Sequence, residues 1–371
     1  MQTLQPTLRL GRDVWDRTAM PIAEFVSRAG ALRGARADAD LDALLLYGRG
    51  LNGCGHPTYL ANYIVKLPFA ALVVLPRDGE PALVFEGATR GRDAARATTW
   101  IDDVRPCWNV AEACLSVLEE RGLTNTRIGL AGMPRLVPYE DWRQLAAGLG
   151  QATLVDAETL VERQRAIKST REVTQMRRAS EIAVMAMRRV ADVAAESVTE
   201  SGLAAEILRE ARRAGAEDIR LMIARPNDTA WAFRPPEPLN LDDGDTFALH
   251  VAVSWERYWW EATRTFRVRT NAIDPVWSPD LERRYRQLTG AFRSGVTVRD
   301  AVRHARELLT SDERHAVDVC GLGHGIGITP EENPVLSEGG DDTLRSGMCL
   351  VIRSAFAVDQ ALVIHGETAF L

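Results

Sequence analysis

Two patterns of apolar positions alternate along the first part of the chain. Short runs rich in Leu, Val and Ala, closed by Gly, Pro or charged residues, predict strands at 41–48, 69–76, 81–87, 126–132 and 152–157. Helical spacing of apolar residues predicts helices at 111–122 and 139–150. Because strands and helices alternate, residues 1–160 are predicted to form an N-terminal mixed α/β domain.

A long amphipathic helix opens the second part of the chain. Ser169 and Glu172 have the spacing of a capping box, which satisfies two backbone N–H groups at a helix start, and an apolar stripe follows through Ala195. Further helices are predicted near 202, within 279–293 and within 298–310, and strands at 245–254, 258–268, 348–358 and 361–370. Residues 161–371 are therefore predicted to form an α+β domain with segregated helices and antiparallel strands.

Composition narrows the class of protein. Hydrophobic residues make up 46% and charged residues 26% of the 371 residues, as in a folded globular protein. The net charge of −6, without a Lys/Arg block, argues against a nucleic-acid partner. Five scattered cysteines favour reduced thiols over a disulfide framework. The polar N-terminus does not resemble a signal peptide, and the most apolar run, 63–76, is broken by Lys66 and Pro68. We expect a cytoplasmic protein without a membrane partner.

Three stretches carry a resemblance to a known family. They are the helix start at 165–183, the Gly244-Asp245 pair with the strands that end in 263–266 (TRTF), and the GHGIG motif at 323–327, which is followed by Glu331-Glu-Asn-Pro334 and later by Gly347-Met348. Together they resemble the pita-bread family of creatinase, aminopeptidase P, prolidase and methionine aminopeptidase. Residues 59–63 (YLANY) resemble the N-terminal domain of the creatinase and aminopeptidase P branch. The resemblance implies a creatinase-like two-domain homodimer.

The resemblance also implies a set of site positions. Hydrolytic members hold two divalent metals with two Asp, one His and two Glu, and the bridging water becomes the nucleophile. On this sequence those positions fall, in order, on His250, Glu261, His324, Arg353 and finally His365 or, with a small register slip, Glu367. Two cations close together need several carboxylates, and an Arg at such a position stays protonated. A standard dinuclear peptidase mechanism is therefore not expected.

Two interpretations of these positions remain open. In the first, one divalent ion (Zn, Fe or Mn) is held by His250, Glu261, His324 and His365, a donor set that suits a mononuclear site. In the second, no metal is bound. His324 and Glu261 then carry out the acid–base proton transfers as a pair, as the resemblance to creatinase implies, and Arg353 binds a substrate carboxylate. Glu331, which stands where the family has a proton-transferring His, is a further catalytic candidate. Nucleotide binding is not expected, because the Gly-rich segment 48–60 lacks the Lys-Ser/Thr of a phosphate loop.

Candidate substrate contacts lie in two segments. The Pro-rich stretch 225–238 stands where the family lines its pocket, and the hairpin at 255–260 is rich in aromatic residues, which serve either strand packing or an aromatic wall. The candidates are Arg225, Asn227, Trp231, Phe233, Arg234 and Trp260. By resemblance alone, Arg49, Cys54 and His56 in the N-terminal domain reach toward the partner's pocket.

These observations predict an enzyme that is not a standard dinuclear peptidase. The expected reaction is cleavage of a C–N or related bond in a small polar substrate, either amino-acid-derived or heteroaromatic. One alternative is a mononuclear metal-dependent enzyme of specialised metabolism, which would carry out oxidative chemistry if its metal is redox-active. The other is a catalytically dead pita-bread module that binds a partner, like the histone-chaperone members of this fold. The chain lacks the acidic tail of such modules, which counts against that alternative.

Overall fold

The computed structural model describes residues 15–50, 53–66, 68–193, 198–225, 232–358 and 361–371. The chain divides into two compact units, Met1–Arg165 and Ala166–Leu371, whereas the sequence placed the division between residues 160 and 161. None of the described helices is both long and apolar enough to cross a membrane.

The helices are α1 (Ile22–Asp38), α2 (Gly55–Ala61), α3 (Arg92–Thr98), α4 (Val110–Glu120), α5 (Met133–Leu136), α6 (Tyr139–Gly148), α7 (Glu158–Ala166), α8 (Thr170–Asp192), α9 (Glu200–Arg213), α10 (Pro279–Thr289), α11 (Val298–Glu307) and α12 (Ser311–Cys320). A short 3-10 helix spans Thr89–Gly91.

The strands are β1 (Ala43–Arg49), β2 (Ala70–Pro76), β3 (Ala82–Glu86), β4 (Asp103–Cys107), β5 (Arg127–Ala131), β6 (Thr153–Asp156), β7 (Asp218–Ala224), β8 (Thr246–Trp255), β9 (Tyr258–Arg269), β10 (Ala272–Pro275), β11 (Gly323–Gly325), β12 (Glu332–Val335), β13 (Cys349–Val358) and β14 (Ala361–Phe370).

In the first unit, the described strands form one sheet in the order β4-β3-β2-β1-β5-β6. Only β2 runs antiparallel to its neighbours in this path, because β1 pairs in parallel with β5, β5 with β6, and β3 with β4. The five strands predicted from apolar runs are present as β1, β2, β3, β5 and β6. Their apolar side chains pack against α4 and α6 in a continuous core.

In the second unit, the described strands follow the order β12-β11-β13-β14-β9-β8-β7, with β10 beside β9. Every neighbouring pair in this path is antiparallel. Helices α8 and α9 pack on β8 and β9 through residues such as Phe247, Leu249 and Val251, and α10 to α12 pack near β13. The capping box at Ser169 and Glu172 is present and begins α8. The predicted α+β class is confirmed.

Helices α1 and α12 and strand β7 are among the elements that were not predicted from the sequence. Helix α1 buries Arg28 and Arg36, so its polar residues break the apolar stripe that would announce a helix. Helix α12 buries Glu313, whose carboxylate accepts hydrogen bonds from Arg284 and from the backbone N–H of Ala357. In both helices a buried charged residue stands where an apolar residue would complete the stripe, and a partner of Arg28, the carbonyl oxygen of Tyr59, lies far away in sequence, as do these two partners of Glu313.

Candidate active site

The register of three strands places the reactive side chains on one face of the second sheet. His250 pairs with Thr263, Thr263 also pairs with Gly366, and Gly366 pairs with Arg353. Paired residues on antiparallel strands share a face, and side chains alternate along each strand. His250, Thr263 and Arg353 therefore share a face, and Glu261, two residues from Thr263, joins them.

Strand β11 adds His324 to the same face, beside Val351. The Nδ1 atom of His324 lies 2.9 Å from the carbonyl oxygen of Gly325, and since a carbonyl only accepts, Nδ1 carries the proton. Nε2 is therefore the acceptor for Arg353 Nη2, at 2.8 Å. Burial, and then the positive charge of Arg353, lowers the pKa of His324. His324 is thus a neutral base whose Nε2 lone pair accepts a hydrogen bond from the guanidinium of Arg353.

The glycine before His324 is required by close packing. Gly323 has a φ of 147°, and a Cβ atom at this position would lie 1.8 Å from the carbonyl oxygen of Val351. No side chain fits there without displacing β13. The GHGIG motif therefore brings the backbone of β11 close enough to β13 for His324 to reach Arg353.

Glu261 lies at the centre of the group and is 4% exposed. Its Oε2 atom lies 3.6 Å from Arg353 Nη2, 3.6 Å from His324 Nε2 and 3.8 Å from His250 Nε2. None of these distances is a hydrogen bond, and Oε2 has no hydrogen-bond partner in the described structure. Burial raises the pKa of Glu261 to about 7, more than the charge of Arg353 lowers it.

His250 is the second imidazole of the group. Its Nδ1 atom lies 3.1 Å from the hydroxyl of Thr263, and the ring of Phe233 meets it edge-on with centroids 5.9 Å apart. Burial, followed by the charges of Arg353 and His324, lowers the pKa of His250 to about 3. His250 is therefore neutral throughout the physiological pH range.

Arg353 crosses this face and fills the space above β14. Its Nη1 atom donates to the carbonyl oxygen of Cys320 at 2.7 Å, while Nη2 donates to His324. A Cβ atom on Gly366 would lie 2.5 Å from Cγ of Arg353, so the arginine stem occupies the place of a side chain at position 366. The resemblance assigned the family position on β14 to His365 or Glu367. The register corrects that assignment, because the residue facing the site is Gly366.

His365 lies on the opposite face of the sheet. Its ring stacks on Trp277 with centroids 3.8 Å apart and meets Tyr285 at 4.6 Å. The hydroxyl of Tyr285 donates to the carbonyl oxygen of Ile352 at 2.7 Å and accepts from the backbone N–H of Glu367 at 3.1 Å. The side chain of Glu367 pairs with Arg264 on this same opposite face. Neither predicted alternative therefore reaches His250 and Glu261.

The remaining donors do not fit the metal ion that the resemblance implied. Among the residues that the structure describes, no group of three or more His, Cys, Asp or Glu side chains is arranged to hold a metal. The His324 lone pair that would bind an ion accepts a hydrogen bond from Arg353 instead. That guanidinium adds a permanent positive charge 3.6 Å from the Glu261 carboxylate. The predicted set of His250, Glu261, His324 and His365 is not assembled.

The buried stack of His365 predicts an acid-sensitive contribution to stability. Burial lowers the pKa of His365 to about 2 from an unfolded value of 6.5, so its contribution is complete above pH 6.5 and is lost as the pH falls toward 2. When the pH is lowered from 7 to 5, the free energy of unfolding of His365→Phe should fall by roughly 2 kcal/mol less than that of the parent. Urea denaturation at both pH values measures this difference.

The matched control for that measurement is His304→Phe, because His304 is 61% exposed on α11. The control should follow the parent between the two pH values. Equal acid sensitivity of His365→Phe and the parent would contradict the assignment of His365 as a buried neutral imidazole.

The two arginines predicted to contact substrate are held by carboxylates instead. Arg234 makes two hydrogen bonds to the buried Glu200, at 2.7 and 2.9 Å. Arg225 forms an ion pair with Asp245 and lies 3.5 Å from Glu200. Both arginines therefore already have carboxylate partners, and their contact with a substrate stays a prediction.

The aromatic candidates divide between the two faces of the sheet. Phe233 contacts His250 and so borders the site. Trp260 alternates with Glu261, lies on the opposite face and packs against Phe370 with centroids 5.7 Å apart. Trp259 shares the face of Glu261 and is covered by Arg220, 4.7 Å from its ring centroid. Asn227 and Trp231 lie outside the described residues.

Glu331, His56 and Arg49 are three further candidates. The carboxylate of Glu331 forms no hydrogen bond to His324 or Glu261 in the described structure, and its charge contributes to raising the pKa of Glu261. In the first unit, His56 is buried between Glu158, at 2.9 Å, and Arg165, at 3.2 Å. Arg49 pairs with Glu86 at 3.4 Å.

Two residues of the site were missed by the sequence interpretation besides Gly366. Thr263 bonds His250, and the hydroxyl of Thr368 accepts from the backbone N–H of Glu261 at 3.0 Å and donates to its carbonyl oxygen at 2.9 Å. Both threonines lie an even number of residues from a site position, so strand alternation is the signal that could have found them.

Comparisons with known proteins agree with this architecture. Residues 174–368 match the family described as Metallopeptidase family M24, and residues 28–167 match the Creatinase/Prolidase N-terminal domain. The probable dipeptidase PepE of Mycobacterium tuberculosis is 26% identical over 360 residues, which cover 93% of this chain and 90% of that protein.

Two solved structures show the breadth of the fold. The Xaa-Pro dipeptidase from Bacillus anthracis superposes with a TM-score of 0.70 at 18% identity, covering 94% of this chain and 95% of that one. The N-terminal domain of FACT complex subunit SPT16 from chickpea superposes with a TM-score of 0.64 at 17% identity, covering 94% and 93%. The match over more than half of the chain shows that this protein belongs to metallopeptidase family M24, with a creatinase-type N-terminal domain.

Proposed function

We propose that this protein is a metal-independent hydrolase that cleaves a C–N bond in a small, polar, amino-acid-derived substrate. Glu261 acts as the acid, His324 as the base, and Arg353 as the fixed positive charge of the site. The observation that carries the proposal is the buried Oε2 atom of Glu261, which has no hydrogen-bond partner in the described structure.

An unpartnered buried carboxylate oxygen is costly. Leaving such a group unsatisfied costs roughly 1–3 kcal/mol or more, so it is uncommon where a side chain serves stability alone. A polar substrate group placed against Oε2 removes that cost on binding. Perturbed carboxylates beside a charged partner are also typical of catalytic sites. Burial of Glu261 therefore favours a ligand that forms a hydrogen bond with its carboxyl group.

The protonation states suit hydrolysis near neutral pH. With a pKa of about 7, Glu261 is available in its protonated form to donate to the leaving nitrogen as the C–N bond breaks. His324 Nε2, released by a shift of Arg353, takes a proton from the attacking water as the new C–O bond forms. Proton return from His324 to Glu261 restores the starting state. Arg353 stabilises the oxyanion that develops on the substrate.

The substrate class follows from the relatives and from the charges. Relatives of this chain are named as dipeptidases, which makes dipeptides and similar small amides the first candidates. A substrate carboxylate would compete with His324 for Arg353, as bidentate pairing with a guanidinium is strong. Heteroaromatic substrates come second, with Phe233 beside His250 as their contact. A redox metal enzyme has no support from the donor set. A homodimer remains an expectation from the family resemblance.

A second candidate function is a catalytically dead binding module. Arg353 fills the site face, and the fold is shared with the SPT16 domain of the FACT complex. Such a module has no use for a buried Glu261 Oε2 atom without a hydrogen bond, which makes this candidate the weaker one.

Amide hydrolysis by chelator-treated protein tests the proposal. Protein prepared without metal-affinity chromatography would be assayed against a panel of dipeptides and other small amino-acid amides, with amine release as the readout. We expect turnover that chelator leaves unchanged, and a loss of roughly 100-fold or more in kcat for His324→Gln. His304→Gln, on an exposed face of α11, is the control. Turnover only after metal addition, or turnover that His324→Gln retains, would overturn the proposal.

A further inference from the structure

Glu261 and the two imidazoles lie close together, although the described structure does not arrange them as a metal site. A tetrahedral ion with bonds of about 2.1 Å separates its ligand atoms by about 3.4 Å. Glu261 Oε2 lies 3.6 Å from His324 Nε2 and 3.8 Å from His250 Nε2. Two imidazoles and one carboxylate are also a known donor set for zinc. The two distances from Glu261 are therefore close to those of ligand atoms around such an ion, so rearrangement of these side chains could enclose one.

Arg353 stands in the way of that ion. Its Nη2 atom donates to His324 Nε2 at 2.8 Å and lies 3.6 Å from Glu261 Oε2, so it contacts two of the three donors. A metal ion at that point would meet a permanent positive charge at close range and would have to displace a hydrogen bond.

Gly366 makes the arginine's position possible. A Cβ atom at position 366 would lie 2.5 Å from Cγ and 3.3 Å from Cβ of Arg353. Any larger residue at 366 would push the stem away from the sheet. The position of Arg353 therefore depends on the absence of a side chain at residue 366. The arrangement requires both Arg353 and Gly366.

We propose that the Arg353 guanidinium, seated on Gly366, excludes divalent metal from a site that His250, Glu261 and His324 would otherwise form. Removal of the guanidinium uncovers a zinc-type site with two imidazoles and one carboxylate. This inference concerns metal binding alone and does not depend on the substrate or on the proposed hydrolysis.

Zinc titration of folded variants tests the inference without an activity assay. Calorimetry and native mass spectrometry would compare the parent, Arg353→Ala, Arg353→Glu and Arg264→Ala. Arg264 is the matched control, because it lies on the same sheet with its side chain on the opposite face, paired with Glu367. We expect Arg353→Ala and Arg353→Glu to bind about one zinc ion per chain, roughly 100-fold or more tighter than the parent and the control.

Two further measurements test the location of the ion and the steric role of Gly366. Adding His250→Ala to Arg353→Ala should abolish zinc binding, because a ligand is lost. Gly366→Ala should lower the urea midpoint of the parent and have a much smaller effect in Arg353→Ala, where the clashing Cγ atom is absent. Parent protein that binds zinc as tightly as the variants would overturn the inference. So would folded Arg353 variants that bind no zinc, or an equal effect of Gly366→Ala in both backgrounds.

Discussion

Glu261→Gln should lose activity and gain stability at the same time. The amide keeps the shape of the carboxyl group but cannot donate a proton to a leaving nitrogen as an acid does. Loss of general acid catalysis is worth about 10²–10⁴-fold in kcat. Above pH 7 the variant should also be more stable than the parent by up to about 3 kcal/mol, since it buries no charge at position 261.

The sign of this stability effect follows from the direction of the pKa shift. The pKa of Glu261 is raised to about 7 in the folded protein from an unfolded value of 4.5. The contribution of its protonated form is therefore complete below pH 4.5 and is lost as the pH rises through 7. Glu261→Gln should match the parent near pH 4.5 and diverge from it above that value.

Urea denaturation at pH 5 and pH 8, with kcat measured on the same preparations, checks both halves of this prediction. Glu181→Gln is the control, because Glu181 is exposed on α8, away from the site, and carries the same change of charge. A variant that is less stable than the parent at pH 8 would show that the Glu261 carboxylate stabilises the fold. Full activity in the variant would remove Glu261 from the reaction.

Lys168→Met should destabilise the second unit by about 3–5 kcal/mol, because it leaves a buried carboxylate without its cation. Lys168 Nζ lies 3.0 Å from Glu332 Oε2, with side chains only 1% and 6% exposed. The other oxygen of Glu332 accepts from the backbone N–H of Thr329 at 3.1 Å. A Cβ atom on Gly327 would lie within 3 Å of both Glu332 and Lys168, so the pair packs directly against the loop that follows His324.

Chemical denaturation of a double-mutant cycle measures the coupling. The double variant Lys168→Met/Glu332→Leu should be less destabilised than the sum of its single changes, since it removes both buried charges. Glu181→Gln, which breaks the exposed Arg178–Glu181 pair, should change stability by only about 0–1 kcal/mol. Additive effects of the two buried changes would show that the pair contributes no specific interaction.

Much of the fold could be predicted because the local signals agree with the tertiary structure. The apolar runs of the first sheet, the capping box of α8 and the four long strands of the second sheet all occur where the sequence indicated. The proximity of His250, Glu261 and His324 also follows from the motifs that contain them, while their role in a site stays a prediction.

The site's last position could not be predicted, because it depends on strand pairing. A shift of one residue moves a side chain to the other face of a sheet, and the alternatives His365 and Glu367 both flank the correct residue. Only the pairing of Arg353 with Gly366 identifies the position. The absence of a side chain there also leaves no chemical signal in the sequence.

The roles of Arg225 and Arg234 could not be predicted for a different reason. Their partner Glu200 lies 34 residues before Arg234 and belongs to another element. A sequence shows an arginine but not whether a buried carboxylate already neutralises it. The same limit applies to Arg353, whose direction is set by the carbonyl of Cys320 and by His324.

The hydroxyl of Tyr285 has a consequence for how this site can evolve. It bonds Ile352 and Glu367, which are partners in the pairing of β13 with β14. An insertion or deletion that slid β14 by one residue would break a bond of this hydroxyl and exchange the faces of the strand. We therefore expect such length changes to disrupt this strand pair more than point substitutions that keep the register. New chemistry on this strand must therefore arise by substitution of Gly366 itself. Any side chain introduced there first requires that the Arg353 side chain be displaced or replaced.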